Sequence, residues 1–76
     1  MTEYEFLEEM SENLRKMMKR RDISQTMLAK MTGIDRTSIN RYSKGVSAPS
    51  LRNLTNICWA LECDLDDIIV AWDYID

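Results

Sequence analysis

The sequence predicts an all-α fold: one compact domain of five short helices. Three observations point there. Only two glycines and one proline occur among 76 residues rich in Leu, Met, Lys, Glu and Arg, a composition that favours helix over strand. Apolar residues recur at spacings of three, four and seven. Short segments open on Ser or Asp, and two of them close on Gly.

The first helix is expected from Tyr4 to Arg20, with Phe6, Leu7, Met10, Leu14, Met17 and Met18 on one side. Its outer face turns from acidic to basic along its length, the favourable sense in the helix dipole. Asp22 ends the run, and Ser24 can cap a second helix, "QTMLAKM", with Met27, Leu28 and Met31 as its apolar side. Gly33 suits a sharp turn needing positive φ. Asp35 can cap the third helix, "RTSINRYSK", which Gly45 ends. After the loop "VSAPS", Pro49 stands just before or at the start of a fourth helix with Leu51, Leu54, Ile57 and Leu61 inward. Asp64 and Asp67 read as a capping box for a short fifth helix holding Leu65, Ile68 and Ile69.

Several function classes find no residues to support them. The chain has no histidine, no glycine-rich phosphate loop and no serine beside a base, so no enzyme activity and no cofactor are expected. Cys58 and Cys63 are too few and wrongly spaced for a metal site; they read as small apolar residues on or just after a helix. No small-molecule ligand is indicated. No apolar run reaches membrane-span length, and "MTEYEFLEEM" is too acidic for a signal peptide, so a cytoplasmic protein is expected.

The net charge of −3 conceals a segregation. All ten basic residues lie between Arg15 and Arg52 with only two acids, Asp22 and Asp35, a net of +8. The first 14 residues carry five acids and no base; residues 53–76 carry six and no base. A polyanion would be drawn to the middle of the chain and repelled by its ends.

Helical residues step about 100°, so with Arg36 at zero, Asn40, Lys44, Thr37 and Arg41 fall near 40°, 80°, 100° and 140°. Ser38, Tyr42 and Ile39 occupy roughly 200°, 240° and 300°. A helix anchored by Ile39 and Tyr42 would turn Arg36, Thr37, Asn40 and Arg41 outward together. These side chains match base edges: arginine donates twice to guanine, asparagine pairs bidentately with adenine, and a threonine methyl touches thymine. A solvated face with no ligand fits the same wheel. The capped helix and glycine turn just before it favour the base-reading alternative.

Residues 14–70, with "DISQTMLAKMTGIDRTSINRYSKG" and "APSLRNLTNICWALECDLDDII", resemble the helix-turn-helix of the Cro/phage-repressor type, often called XRE-like. The shared features are Ser24-Gln25, Leu28-Ala29, Thr32-Gly33-Ile34, Ile39 and Gly45. The resemblance implies a lambda-repressor-like DNA-binding domain over residues 1–76. Its acidic start occupies 1–14, the helix-turn-helix 24–45, and helices four and five with an aromatic tail 50–76. It implies base contacts from Arg36, Thr37, Asn40 and Arg41 to double-stranded DNA. Phosphate contacts fall on Ser24, Gln25, Lys44 and Ser47, with Arg52 a plausible addition. Gln25 is alternatively a plain surface residue, and Lys16, Lys19, Arg20 and Arg21 either solvate the first helix or contact DNA. Many relatives carry an Arg–Glu ion pair where this chain has Met18 and Ser43. Replacing both partners strands no charge, so the scaffold should tolerate it. Asp22 and Glu62 stand where glycine is frequent.

One helix reads too few bases to single out a site among the roughly 10⁶–10⁹ of a genome, and a two-fold dimer doubles the readout. Trp59, Ile69, Trp72, Tyr74 and Ile75 offer the apolar surface for such a homodimer; the alternative is that the tail folds over helix four and covers Trp59. The function implied is a sequence-specific DNA-binding transcriptional regulator, a small repressor. The rival is a protein-interaction module on the same fold, an antitoxin or anti-repressor partner using the acidic ends or aromatic tail.

Overall fold

A computed structural model describes residues 2–69. The five helices are α1 (Glu3–Arg21), α2 (Gln25–Thr32), α3 (Arg36–Lys44), α4 (Leu51–Leu61) and α5 (Leu65–Ile68). Among the described residues there is no strand. The long α1 lies against α3, α4 and α5, while α2 packs on α3 and α4.

Local chemistry sets each start. Thr2, Ser24, Asp35 and Ser50 sit in extended backbone and their side chains accept the amides of Glu5, Met27, Ser38 and Asn53. Each bond satisfies a first-turn donor that the helix itself leaves unpaired. At α5 the carboxylate of Asp67 accepts the Asp64 amide at 2.9 Å, the expected return arm of a capping box. The ends are equally local. Gly33 and Gly45 take left-handed backbone at φ +76° and +72°. Asp22 and Glu62 end α1 and α4 in the same conformation at φ 55° and 52°. A side chain is disfavoured there, so these two acids hold strain that glycine would relieve.

The core gathers Met10, Leu14, Met17 and Met18 from α1, Leu28 from α2, Ile34 from the turn and Ile39 and Tyr42 from α3. Leu54, Ile57, Cys58, Ala60 and Leu61 from α4 and Ile68 from α5 complete it. The sequence reading of inward stripes needs correction at three positions, Met27, Met31 and Leu51. Met27 and Met31 are 50% and 40% exposed and Leu51 71%; Leu65, on α5, is 42% exposed as well. The physical reason is helix length. An eight-residue α2 has room to bury one narrow line of contact, and Leu28 takes it with no exposure at all. Leu51 and Leu65 are the first residues of their helices, where the chain is still entering from a loop. Ile69 lies just past α5 and packs partly against the core. Trp72, Tyr74 and Ile75 lie outside the described residues.

Three side chains tie distant helix ends together. Arg21 on α1 donates to the carbonyls of Leu61 at 2.8 Å and Glu62 at 2.9 Å, closing the end of α4. The Asn13 amide donates to the Ile68 carbonyl at 3.0 Å, closing α5. Asn53 on α4 donates to the Tyr42 hydroxyl at 3.1 Å, joining α4 to α3.

Leu28→Ala should therefore lower stability by about 2–5 kcal/mol through the cavity it leaves. Leu51→Ala should stay within about 0.5 kcal/mol of the parent. Urea unfolding of the two variants checks this, and comparable midpoint shifts would contradict the placement of both leucines.

Candidate nucleic-acid interface

Helix α3 is held on its inner side by Ile39, which has no exposure, and by Tyr42 and Ser43, both buried. Ser43 replaces Ser38 as the third inward residue; it falls near 340° on the wheel, beside Ile39. Ser38 is half-buried and serves the cap instead, its amide bonded to one Asp35 oxygen and its hydroxyl to the other, each at 2.8 Å. The Ser38 amide, then the Ser38 hydroxyl, hold the Asp35 carboxyl below its ordinary range.

The junction of α3 with α1 is small and neutral. The Ser43 hydroxyl donates to the Ile39 carbonyl at 2.9 Å and faces the Met18 sulfur at 4.0 Å. At these two positions, where the resemblance suggests an ion pair in many relatives, a thioether and a hydroxyl meet with no charge left stranded. Arg15 on α1 donates to the Ser43 carbonyl at 2.6 Å, placing a cation at the negative end of α3. Two residues on, Gly45 comes so close to α1 that an added Cβ would meet the Leu7 carbonyl oxygen and the Ser11 hydroxyl at 3.1 Å each.

The outer side of α3 carries Arg36, Thr37, Arg41 and Lys44, all exposed, with Asn40 half-buried. Among the described residues, neither the Arg36 nor the Arg41 guanidinium is held by a hydrogen bond or an ion pair. Gln25, Arg36, Thr37 and Asn40 line one shallow recess where α2 begins beside α3. Within it Asn40 donates from Nδ2 to the Gln25 Oε1 at 3.1 Å. Gln25 is thus no idle surface residue. The bond leaves Asn40 its carbonyl oxygen and a second N–H, the pair that adenine requires. Arg41 stands outside this recess, farther round the exposed face.

The expected phosphate-contacting residues are distributed around α3. The Ser24 hydroxyl accepts the Met27 amide at 3.1 Å and keeps its proton for an outside acceptor. Lys44 ends α3 and lines a polar recess with Tyr4, Glu8 and Arg15. Ser47 is half-buried in the loop that follows, and Arg52 is exposed in the first turn of α4. Two arginines have duties that the sequence reading did not assign: Arg15 and Arg21 hold carbonyls 28 and 40 residues or more away, beyond any local signal.

A helix closed by a glycine turn, followed by a capped helix with its cations outward, is the arrangement of a DNA-reading pair. The family model of the Cro/C1-type HTH DNA-binding domain matches residues 13–73. The chain belongs to that family. No curated protein matches it. The Cro/C1-type domain covers four-fifths of the chain and includes α2, the turn and α3 whole; the acidic first half of α1 precedes it. No helix of the described residues is long and apolar enough to cross a membrane. Those residues contain no group of three or more metal-ligating side chains. The Cys58 and Cys63 thiols are raised chiefly by burial, Cys63 to about 12, so both stay protonated at neutral pH.

Two outcomes test how α3 is seated. Gly33→Ala should cost about 1–2 kcal/mol for left-handed backbone alone, since no atom beyond its chain neighbours lies within 4 Å of the added carbon. Gly45→Ala should cost about 1–3 kcal/mol more, because α1 and α3 must part. Equal losses in thermal unfolding would show that α1 yields freely. The Asp35 carboxyl, followed by carbon NMR, should titrate below its ordinary 3.8. A lowered folded value means that the cap's contribution is whole above 3.8 and fades as pH falls through the folded value. Protection of the Ser38 amide, taken relative to its intrinsic exchange rate at each pH, should accordingly fall only in that acidic range, and a titration above 3.8 would contradict the bonded cap.

Proposed function

We propose that this domain is a sequence-specific double-stranded DNA-binding transcriptional regulator, a small repressor, that lays α3 in the major groove. One observation carries the reading: Arg36 and Arg41 stand exposed on α3 with no partner among the described residues, beside Thr37 and Asn40. A major groove about 12 Å wide admits one helix, and these four side chains carry the donors, acceptor and methyl that base edges match. Arg36, Thr37, Asn40 and Arg41 are assigned to bases. Ser24, Gln25, Lys44, Ser47 and Arg52 are assigned to phosphates, with Gln25 also steadying the Asn40 amide. Asp35 is a cap and stays out of contact, since phosphate would repel it.

A homodimer on DNA follows from the readout. Three or four base contacts, each worth about 1–3 kcal/mol, fall short of what one site in a genome needs. Two copies on half-sites about 34–36 Å apart double that. Of the residues expected to join them, Trp59 is 71% exposed and Ile69 half-buried; the acids Glu62, Asp64 and Asp67 beside Trp59 weigh against that side chain as the two-fold contact.

Selection of bound sites from random DNA supplies the target for the test. Arg36→Ala and Arg41→Ala should each weaken that site by about 1–3 kcal/mol and relax base preference at one position. Lys44→Ala should weaken all sequences alike and lower the salt slope by about 1, from near −4 to −5 for about five phosphate contacts. Equal losses on every sequence for the two arginines would make them phosphate binders and remove the base-reading role of α3.

A further inference from the structure

A second surface lies on the C-terminal ends of α2 and α4 and the start of α5, and none of its residues belongs to the proposed DNA contacts. It is an open groove with Met31, Trp59 and Cys63 as apolar walls and Glu62, Asp64 and Asp67 along its rim. Trp59 is 71% exposed and Met31 40%, so two large apolar side chains face solvent side by side. The protonated Cys63 thiol keeps the intervening surface neutral. Among the described residues, no ion pair engages the three carboxylates. Arg21, whose charge is felt at Cys63, donates to the carbonyls of Leu61 and Glu62 and forms no ion pair with the rim.

Charge decides among the occupants. The chain's own residues 70–76 add Asp73 and Asp76 and no base, the same sign as the rim. A two-fold contact between copies through this face would set Glu62, Asp64 and Asp67 against their own duplicates, because an isologous interface repeats one patch on both sides. Like charges brought together disfavour both arrangements. A cationic side chain flanked by apolar ones meets every feature: an ammonium or guanidinium reaches the carboxylates and the indole face, and its neighbours cover Met31 and Trp59.

We propose that this groove docks a basic, apolar segment of a partner protein, with Trp59 and Met31 as the apolar wall and Glu62, Asp64 and Asp67 as the cation-recognising rim. The site is separate from α3, so the domain can hold DNA and a protein partner at once.

Selection of a random short-peptide library on the full chain, with counter-selection on the W59A variant, tests this directly. The expected consensus carries Lys or Arg beside Leu, Ile, Met or Phe. On titration of such a peptide, the Trp59 indole N–H and the Met31 methyl signals should shift together. Affinity should fall about tenfold in Trp59→Ala. It should fall several-fold in Glu62→Gly, a change that also relieves left-handed strain, and decline with added salt. Acidic or purely apolar consensus peptides, or recovery of none, would overturn the proposal. So would dilution alone shifting the Trp59 and Met31 signals, which would give the groove to a second copy. Loss of DNA affinity in Trp59→Ala together with loss of self-association would do the same. The α3 reading stands or falls apart from this, on the arginine variants.

Discussion

The close seat of α3 on α1 is the constraint from which the rest of the structure follows. It is built from Ile39, without exposure, and from Gly45, whose missing side chain lets the chain pass within contact of the Leu7 carbonyl. Between them Ser43 meets Met18 without charge, and Arg15 fastens the Ser43 carbonyl. With one side of α3 committed in this way, the direction of the other is fixed. A turn of about 100° per residue then delivers Arg36, Thr37, Asn40 and Arg41 to the outside with no further instruction. Interiors packed this densely do not slide gradually, so the angle at which α3 presents itself is a property of the core.

That junction also bears on the charge pattern. A cationic stretch of net +8 would strain a domain that buried any of it. Here each arginine that turns toward the protein ends on a helix carbonyl: Arg15 on α3 and Arg21 on α4. These pairings use the negative ends of helices where a salt bridge would need acids, which are scarce in the middle of the chain. Acids are left for the two ends, and at the α4–α5 corner they form a rim with no ion pair among the described residues.

What could be read from the sequence was what neighbours decide. Ser24, Asp35, Asp64, Gly33 and Gly45 act within a turn of themselves, and each stands where spacing placed it. Arg36 and Arg41 were legible as outward because Ile39 and Tyr42 were legible as inward. The errors have a common origin. Periodicity marks which side of a helix faces the core but not how wide the buried strip is, so Met27, Met31 and Leu51 read as inward and are exposed. The Asn40–Gln25, Arg15–Ser43 and Asn53–Tyr42 bonds were illegible for another reason. Each joins residues 11 to 28 apart, and only the finished packing brings them into reach. Ser50 could have been found: it stands directly after Pro49 and caps α4 as Ser24 caps α2.

Arg21 ends α1 and at the same time closes α4, so two helix termini hang on a single side chain. Both termini finish on an acid in left-handed backbone, Asp22 and Glu62, a conformation that reverts readily once its surroundings loosen. Fraying at one terminus withdraws the support of the other. The corner where α1, α4 and α5 meet is thus tied through shared bonds, and local opening there is expected to involve both termini together.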